Sequence, residues 1–447
     1  MVWRLLPLVW FVSLCWSTVT YENKVLLRQK RVDSLLQTND VVFLSPFGLE
    51  ESLLANMSVD MGNMRGETTL RFRWSSDKDM LYDHDWHLGQ RDGRLFPEEL
   101  YGEWQYDFRY GLVVGKKKWD MSQGFYWKPM LLLRDTEGYG RYGEGLYMVR
   151  GEVWFDGGSL SLYGVFPRWS KEAATNQWWD CLQNPQPMWM GGGAFSFLIG
   201  GVTLRGMALW EEKTNDFYPV VSHYAVSCAW SWDRWTWYAE ASYRNGVVWY
   251  HPQFEDTEAT NVVVIIPGVY EITNITPSKY EFVKGDMFAM AWEGLLGMRV
   301  ELEWNITLRA EVFYQERSWN EEERGVFWRG VHYARERYGH EDFVVGDVAI
   351  PEAYLRQATG MLSVKTYAPW MVSCGFSKGF GDHWEVDQSI MMELASFSWR
   401  YDGSVNWKSL QSWEIKCSWS WMGGKRESLF GELLESTSFG LVLQSAL

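Results

Sequence analysis

The run Met298-Arg299-Val300-Glu301-Leu302-Glu303-Trp304-Asn305-Ile306-Thr307-Leu308-Arg309-Ala310-Glu311-Val312-Phe313-Tyr314-Gln315 decides the fold. Its even positions are apolar: Met298, Val300, Leu302, Trp304, Ile306, Leu308, Ala310, Val312 and Tyr314. Its odd positions are polar apart from Phe313. Period two sends successive side chains to opposite faces of an extended chain. Read as one strand at about 3.3 Å per residue, the run would extend roughly 60 Å, far beyond the ~5–6 residues usual in soluble sheets.

The pattern recurs on both sides of this run. Leu70, Phe72 and Trp74 interleave with Arg71 and Arg73, and Tyr147, Val149, Val153 and Phe155 with Arg150 and Glu152. Val202, Leu204, Ala208 and Trp210 alternate with Thr203, Arg205 and Glu211. Tyr224 to Trp232, Trp235 to Tyr243 and Trp413 to Trp421 repeat it, and Phe439, Leu441, Leu443, Ser445 and Leu447 carry it to the end. Turn signals separate the segments, among them residues 62–66, Asp156-Gly157-Gly158, Asp233-Arg234 and Asp402-Gly403-Ser404. Long irregular stretches intervene at Ser75 to Leu95, Pro167 to Gly193, Gly246 to Lys284 and Ser318 to Ala353. Short turns at one end and long loops at the other are the layout of a transmembrane β-barrel.

A soluble β-sandwich also alternates, with its apolar face inward, but its core is mostly aliphatic. Here 30 Trp, 23 Tyr and 23 Phe make the chain 17% aromatic, which suits aromatic belts at two membrane boundaries. Trp74, Trp210, Trp232, Trp235, Tyr243 and Tyr314 fall at segment ends, where belts belong. The expected fold is therefore all-β: an antiparallel transmembrane barrel of about 16 strands, within a range of 14–18, over residues 51–447. Lys plus Arg is 42 against 57 Asp plus Glu, a charge of −15, which disfavours nucleic acid as a partner. With 41 Gly and 13 Pro in 447 residues, collagen-like and Pro-rich classes are excluded.

The N-terminus reads as an export signal over residues 1–20, with Arg4 as its cation, an apolar stretch from Leu5 to Val19 and a cleavage point at Thr18-Val19-Thr20. A lipobox at Val12-Ser13-Leu14-Cys15 is the competing reading. Residues 21–50 are expected to form a periplasmic N-terminal segment with a short amphipathic helix over 25–36 (Val25, Leu26, Val32, Leu35, Leu36). The later cysteines, Cys181, Cys228, Cys374 and Cys417, form neither a disulfide scaffold nor a zinc motif.

One segment resembles a known family. Val114-Gly115-Lys116-Lys117-Lys118, then Met121-Ser122-Gln123-Gly124, then Pro129, is similar to a stretch of outer-membrane barrels of the porin and alginate-export type. Those carry Val-Gly-Arg-Gln, Trp-Gly-x-Gly and a proline at like spacing. Lys116-Lys117 replaces Arg-Gln here and Met121-Ser122 replaces Trp-Gly, and the likeness covers some thirty residues around 98–129. It implies a monomeric barrel conducting small or polymeric solutes. The terminal alternation resembles the closing strand read by the barrel-assembly machinery, with Leu447 in place of the usual aromatic.

Other motifs read as structure. Gly138-Tyr139-Gly140-Arg141-Tyr142-Gly143 matches a dinucleotide fingerprint but precedes a strand, whereas the phosphate site needs a helix. Gly375-Phe376-Ser377-Lys378-Gly379 matches the nucleophile elbow G-x-S-x-G without the helix it requires. Asp77, Asp79, Asp83 and Asp85, with His84 and His87, lack the glycine and distal glutamate of a calcium loop. Neither a metal site nor a cofactor nor a catalytic residue is expected.

The functional candidates are the charges of the polar parity: Arg71, Arg73, Asp107, Arg109, Arg150, Glu152, Arg205, Glu240, Arg244, Arg299, Glu301, Glu303, Arg309 and Glu311. An arginine facing lipid at the midplane costs about 2–4 kcal/mol, so these side chains are expected to line the lumen. There they either pair across strands or sort solutes by charge, with a long loop, such as Ser318 to Ala353, folded inward. The expected partners are outer-membrane lipid, the assembly machinery and an unknown solute, in the outer membrane of a diderm bacterium. A surface adhesin or hydrophobic-ligand transporter on the same barrel, and a soluble secreted glycan-binding β-protein, are the alternatives.

Overall fold

The computed structural model describes residues 18–30, 47–75, 93–129, 146–166, 189–211, 221–245, 250–256, 260–266, 269–275, 278–284, 291–337, 344–345, 348–349, 354–355, 358, 362, 367–409, 413–432 and 435–446. The first barrel strands are β1 (Thr18–Lys30), β2 (Phe47–Met61), β3 (Met64–Ser75), β4 (Gly93–Tyr106) and β5 (Tyr110–Lys117). Next come β6 (Leu146–Phe155), β7 (Gly158–Val165), β8 (Met190–Ile199), β9 (Val202–Glu211), β10 (Val221–Trp232) and β11 (Trp235–Arg244). Two small hairpin pairs follow, β12 (Tyr250–Asp256) with β15 (Ser278–Lys284), and β13 (Thr260–Ile266) with β14 (Val269–Ile275).

The barrel resumes with β16 (Ala291–Leu302) and β17 (Ile306–Gln315). Helix α1 (Glu321–Arg337) and the pair β18 (Val344–Val345) with β19 (Val348–Ala349) follow. Then come β20 (Trp370–Phe380), β21 (Trp384–Glu393), β22 (Ser398–Lys408), β23 (Trp413–Gly423), helix α2 (Leu429–Glu432) and β24 (Glu435–Ala446).

Eighteen strands form one sheet, each paired antiparallel with its neighbours in chain order. β1 pairs with β2 on one side and β24 on the other, so the sheet closes. Eighteen exceeds the sixteen expected and stands at the top of the expected range. β1 and the first residues of β2, Phe47 to Glu50, fall where the sequence suggests a periplasmic segment, so the barrel begins ahead of residue 51. Residues 25–30 do not begin a helix: Val25 pairs with Leu49 and Leu441 inside β1. Val25, Leu26 and Leu27 are followed by Arg28, Gln29 and Lys30, too short a window to separate helical from extended spacing; Val32, Leu35 and Leu36 lie outside the described residues. Thr18, read as part of a cleavage point, opens β1 opposite Asn56.

The 298–315 run is also corrected: it is a hairpin. Trp304 and Asn305 take left-handed backbone, with φ 62° and 56°, and the chain reverses there. Val300 pairs with Leu308, Arg299 with Arg309 and Gly297 with Glu311. Every pair is symmetric about residue 304, so even positions oppose even positions. The alternation therefore passes through the turn unbroken, which hides it in the sequence.

Short turns (62–63, 107–109, 156–157, 200–201, 233–234, 303–305 and 381–383) lie at the end of the barrel where β1 begins and β24 ends. The connections at the opposite end include the long ones. The outer face is apolar and accessible: Leu302 is 42% exposed, Trp304 79% and Leu308 38%. The opposite parity is polar and covered, with Glu311 at 1% and Ser373 at 1%. This inverts the usual soluble arrangement, in which large contiguous apolar surface is rare.

Inside, two apolar clusters brace the wall. Trp319, Phe327, Trp328, Val331 and Ala334, on and beside α1, pack with the inward Phe313, Met371 and Met391, together with Leu429 and Phe430. Asn320 caps α1 reciprocally: its side chain accepts from the Glu323 amide at 2.9 Å, and the Glu323 carboxylate accepts from the Asn320 amide at 2.8 Å, a capping box. The second cluster joins Met148, Tyr163, Val165, Met190, Met207 and Leu209. No helix among the described residues is long and apolar enough to cross a membrane.

Candidate functional site

After β5 the chain turns inward, and residues 118–129 run along the inner wall from β7 to β21. Trp119 packs edge-on to Tyr163, ring centroids 4.9 Å apart, beneath the Arg150 guanidinium at 4.8 Å. Arg205 donates to the Met121 carbonyl at 3.1 Å. Trp127 stacks on Phe313 at 5.3 Å, and the Tyr126 hydroxyl is hydrogen-bonded to Ser389.

Two buried glutamates of the wall hold this segment by its backbone. Glu240 accepts from Ser122 Oγ at 2.7 and 2.9 Å, from the Gly124 amide at 3.1 Å and from the Gln123 amide. Glu311 accepts from the Phe125 amide at 2.5 Å, the Tyr126 amide at 2.9 Å and the Tyr238 hydroxyl at 2.7 Å. Four consecutive amides, 123 to 126, thus end on two carboxylates. An ionised carboxylate offers about four acceptor sites, and bonds to a charged acceptor are the stronger kind. Burial alone would disfavour both charges; the converging donors offset that cost.

Two glycines make the clamp possible. A Cβ on Gly297 would overlap the Tyr238 ring, which crosses that position to reach Glu311. A Cβ on Gly124 would overlap the Trp127 carbonyl and the Leu295 side chain. Tyr126 is raised above the ordinary tyrosine range, chiefly by burial and then by the Asp402 and Glu311 charges beside it, so it serves as a neutral hydroxyl.

The structure distributes the fourteen sequence candidates unevenly. Arg150, Arg205, Glu240, Arg309 and Glu311 gather around the inward segment; Arg150 also pairs with Glu152 at 3.4 Å. Arg244 pairs with Glu293 at 3.6 Å, beside Arg317 and Ser242 on the same carboxylate. Arg299 and Glu301 pair with each other at 2.6 Å, exposed near the short turns. Three candidates stand off the wall and are corrected. Asp107 and Arg109 form the tip of the β4–β5 turn, and Glu303 starts the 303–305 turn, paired with Arg234 at 3.2 Å. The side chains of Arg71 and Arg73 lie outside the described residues.

Sequence reading assigns no site role to Tyr126, Tyr238 and Gly297, and it places Ser122 and Gly124 only within the family-like stretch. Gly297 opposite Glu311 is the one available signal, since a glycine within a strand marks close approach of another group. Ser377 pairs with Asp387 and Thr307 in mid-sheet, and β20 ends in a turn, not a helix, so the elbow geometry is absent. Cys228, Cys374 and Cys417 are free thiols, on the outer parity. Cys15, Cys181, the 138–143 glycines and the 77–87 acids lie outside the described residues. Among the described residues no group of three or more His, Cys, Asp or Glu is placed to hold a metal ion.

Comparison with known proteins bears on the fold. No family model and no curated protein sequence matches the chain. Among solved structures, OccK11 (OpdR) of Pseudomonas aeruginosa is similar with a TM-score of 0.50 at 9% identity, covering 96% of this chain and 95% of that one. OccK5 (OpdH) of the same organism is similar with a TM-score of 0.50 at 9% identity, covering 96% and 97%. The likeness spans nearly the whole of each chain and is one of architecture: a closed, porin-like barrel.

Proposed function

We propose that this chain is an outer-membrane channel of porin type, passing small or extended solutes through a barrel narrowed by its own 118–129 segment. The observation that carries this reading is the inversion of the sheet, with Leu296 59% exposed and Leu162 75% exposed on the outside while Glu240 and Glu311 are buried within. Such an outer face is stable against hydrocarbon, and a closed sheet leaves no unpaired backbone edge there. The aromatic residues support it. Phe108, Trp232, Trp304, Phe380 and Trp384 lie exposed toward the short turns, and Trp210, Trp292, Trp370 and Trp399 toward the other end, as two belts would require. Transport would be filtering by charge and size, without covalent chemistry.

Reconstitution in a planar bilayer tests the proposal: discrete conductance steps with a measurable ion selectivity are expected. The α1 cluster inside one end favours a second reading, a gated or hydrophobic-ligand transporter, because it fills part of the interior with side chains. A protein that inserts but stays silent at every voltage would support that reading against the first.

A further inference from the structure

On the inner face most described arginines are engaged. Arg150 pairs with Glu152, Arg205 with the Met121 carbonyl, Arg244 with Glu293, and Arg400 with Asp402 at 2.8 Å. Arg309 differs. Its guanidinium lies over the Phe125 ring at 3.9 Å, and it makes no hydrogen bond or ion pair with any described residue. Its fork of five donors is thus presented, partly exposed, beside the inward segment.

Asp387 is its counterpart. The Asp387 carboxylate is also partly exposed and also makes no hydrogen bond or ion pair among the described residues. The register fixes the distance between them: Arg309 opposes Gly375, Gly375 opposes Ser389, and Asp387 is two residues from Ser389 on the same face. Two strand spacings and two residues along the strand put their Cα atoms about 12 Å apart. Arg309 lies within electrostatic reach of Asp387, as do Glu385 and Lys416. Glu385 faces Lys408 at 3.8 Å. Lys416 stands two strands further on, opposite Asn406. Phe125, 49% exposed, supplies an apolar surface next to Arg309.

We propose that Arg309, Asp387 and Phe125 form a bipolar subsite for a zwitterionic solute: its carboxylate on the Arg309 fork, its ammonium on Asp387, its apolar side against Phe125. This rests on the channel reading above. A planar guanidinium takes a carboxylate through two parallel bonds. Once the cation is so occupied, the nearby acid is left to receive a positive group. A solute bearing both charges satisfies both residues, whereas one bearing a single charge leaves the other residue unpaired.

Three molecules of matched size separate the possibilities at neutral pH: phenylalanine, a zwitterion; phenyllactate, an anion; and phenylalaninol, a cation. Their fluxes are measured into liposomes carrying the full-length protein, after a planar-bilayer recording of the same preparation. Phenylalanine is expected to pass about ten-fold faster than either relative, the size of one charge-assisted hydrogen bond. Arg309→Gln should bring it down to the rate of phenylalaninol, Asp387→Asn to that of phenyllactate, and Arg309→Lys should restore part of the loss. Heat-modifiable gel migration verifies that each variant has folded as a barrel. A conducting protein with equal fluxes, or with phenyllactate fastest, overturns the subsite and leaves the channel standing. A protein that neither conducts nor passes any of the three overturns both.

Discussion

The ring of Tyr238 lies over Gly297, and only the missing side chain at that position lets the Tyr238 hydroxyl reach Glu311, 2.7 Å away. Gly297→Ala should therefore act through Tyr238. Forcing a methyl group into filled space costs about 1–3 kcal/mol, and the hydrogen bond is lost with it. In a Tyr238→Leu background, where no ring covers residue 297, the same substitution should cost much less. Unfolding by urea in lipid vesicles measures both, and equal costs in the two backgrounds would refute the coupling.

Glu240→Gln and Glu311→Gln preserve side-chain size but replace one acceptor oxygen with a donor that faces amide donors. Each hydrogen bond to a charged group is worth about 1.5–3 kcal/mol, so either change should loosen residues 122–126. Single-channel recordings should show more open-channel noise and altered conductance, larger for the double variant. Traces indistinguishable from the unaltered protein would mean that something else positions the segment.

Much of the barrel was legible because a sheet with one apolar and one polar face writes those faces into alternate residues. Leu308 and Glu311 went to the faces their parity indicates. What the pattern hides is direction. The turn at Trp304 and Asn305 pairs even residues with even residues, so a hairpin reads like one long strand. The clamp was half legible. Glu240 and Glu311 stand out as acids on the polar parity, but their partners are backbone amides from more than a hundred residues away. Backbone amides carry no sequence signal. The resemblance around Met121-Ser122-Gln123-Gly124 fell on the segment they hold without revealing that it turns inward.

The raised Tyr126 hydroxyl gives an alkaline signature. The folded protein holds this proton more tightly than the unfolded chain does. Its stabilising contribution is thus complete below the ordinary tyrosine value, about 10, and is lost as pH climbs from there through the higher folded value. Tyr126→Phe should flatten that part of the decline without affecting stability at neutral pH by more than about 1.5 kcal/mol, the net worth of one hydrogen bond. Urea unfolding of both proteins between pH 7 and roughly 11.5 checks this; parallel curves would show that Tyr126 does not titrate differently on folding.

Leu296 and Trp304 are both well exposed, at 59% and 79%, but they stand at different heights. Leu296 is in the middle of β16, opposite Val312, and Trp304 is at the tip of the turn. Were the barrel's outer face in water, arginine at either place would change stability little, within about 0.5 kcal/mol for a surface site. With hydrocarbon around it, Leu296→Arg should cost about 2–4 kcal/mol, and Trp304→Arg, near the boundary, about 0–1 kcal/mol. The comparison is made in vesicles, where lipid is the solvent of the outer wall. Equal costs at the two heights would remove the membrane from the account, and with it the reason the apolar residues face outward.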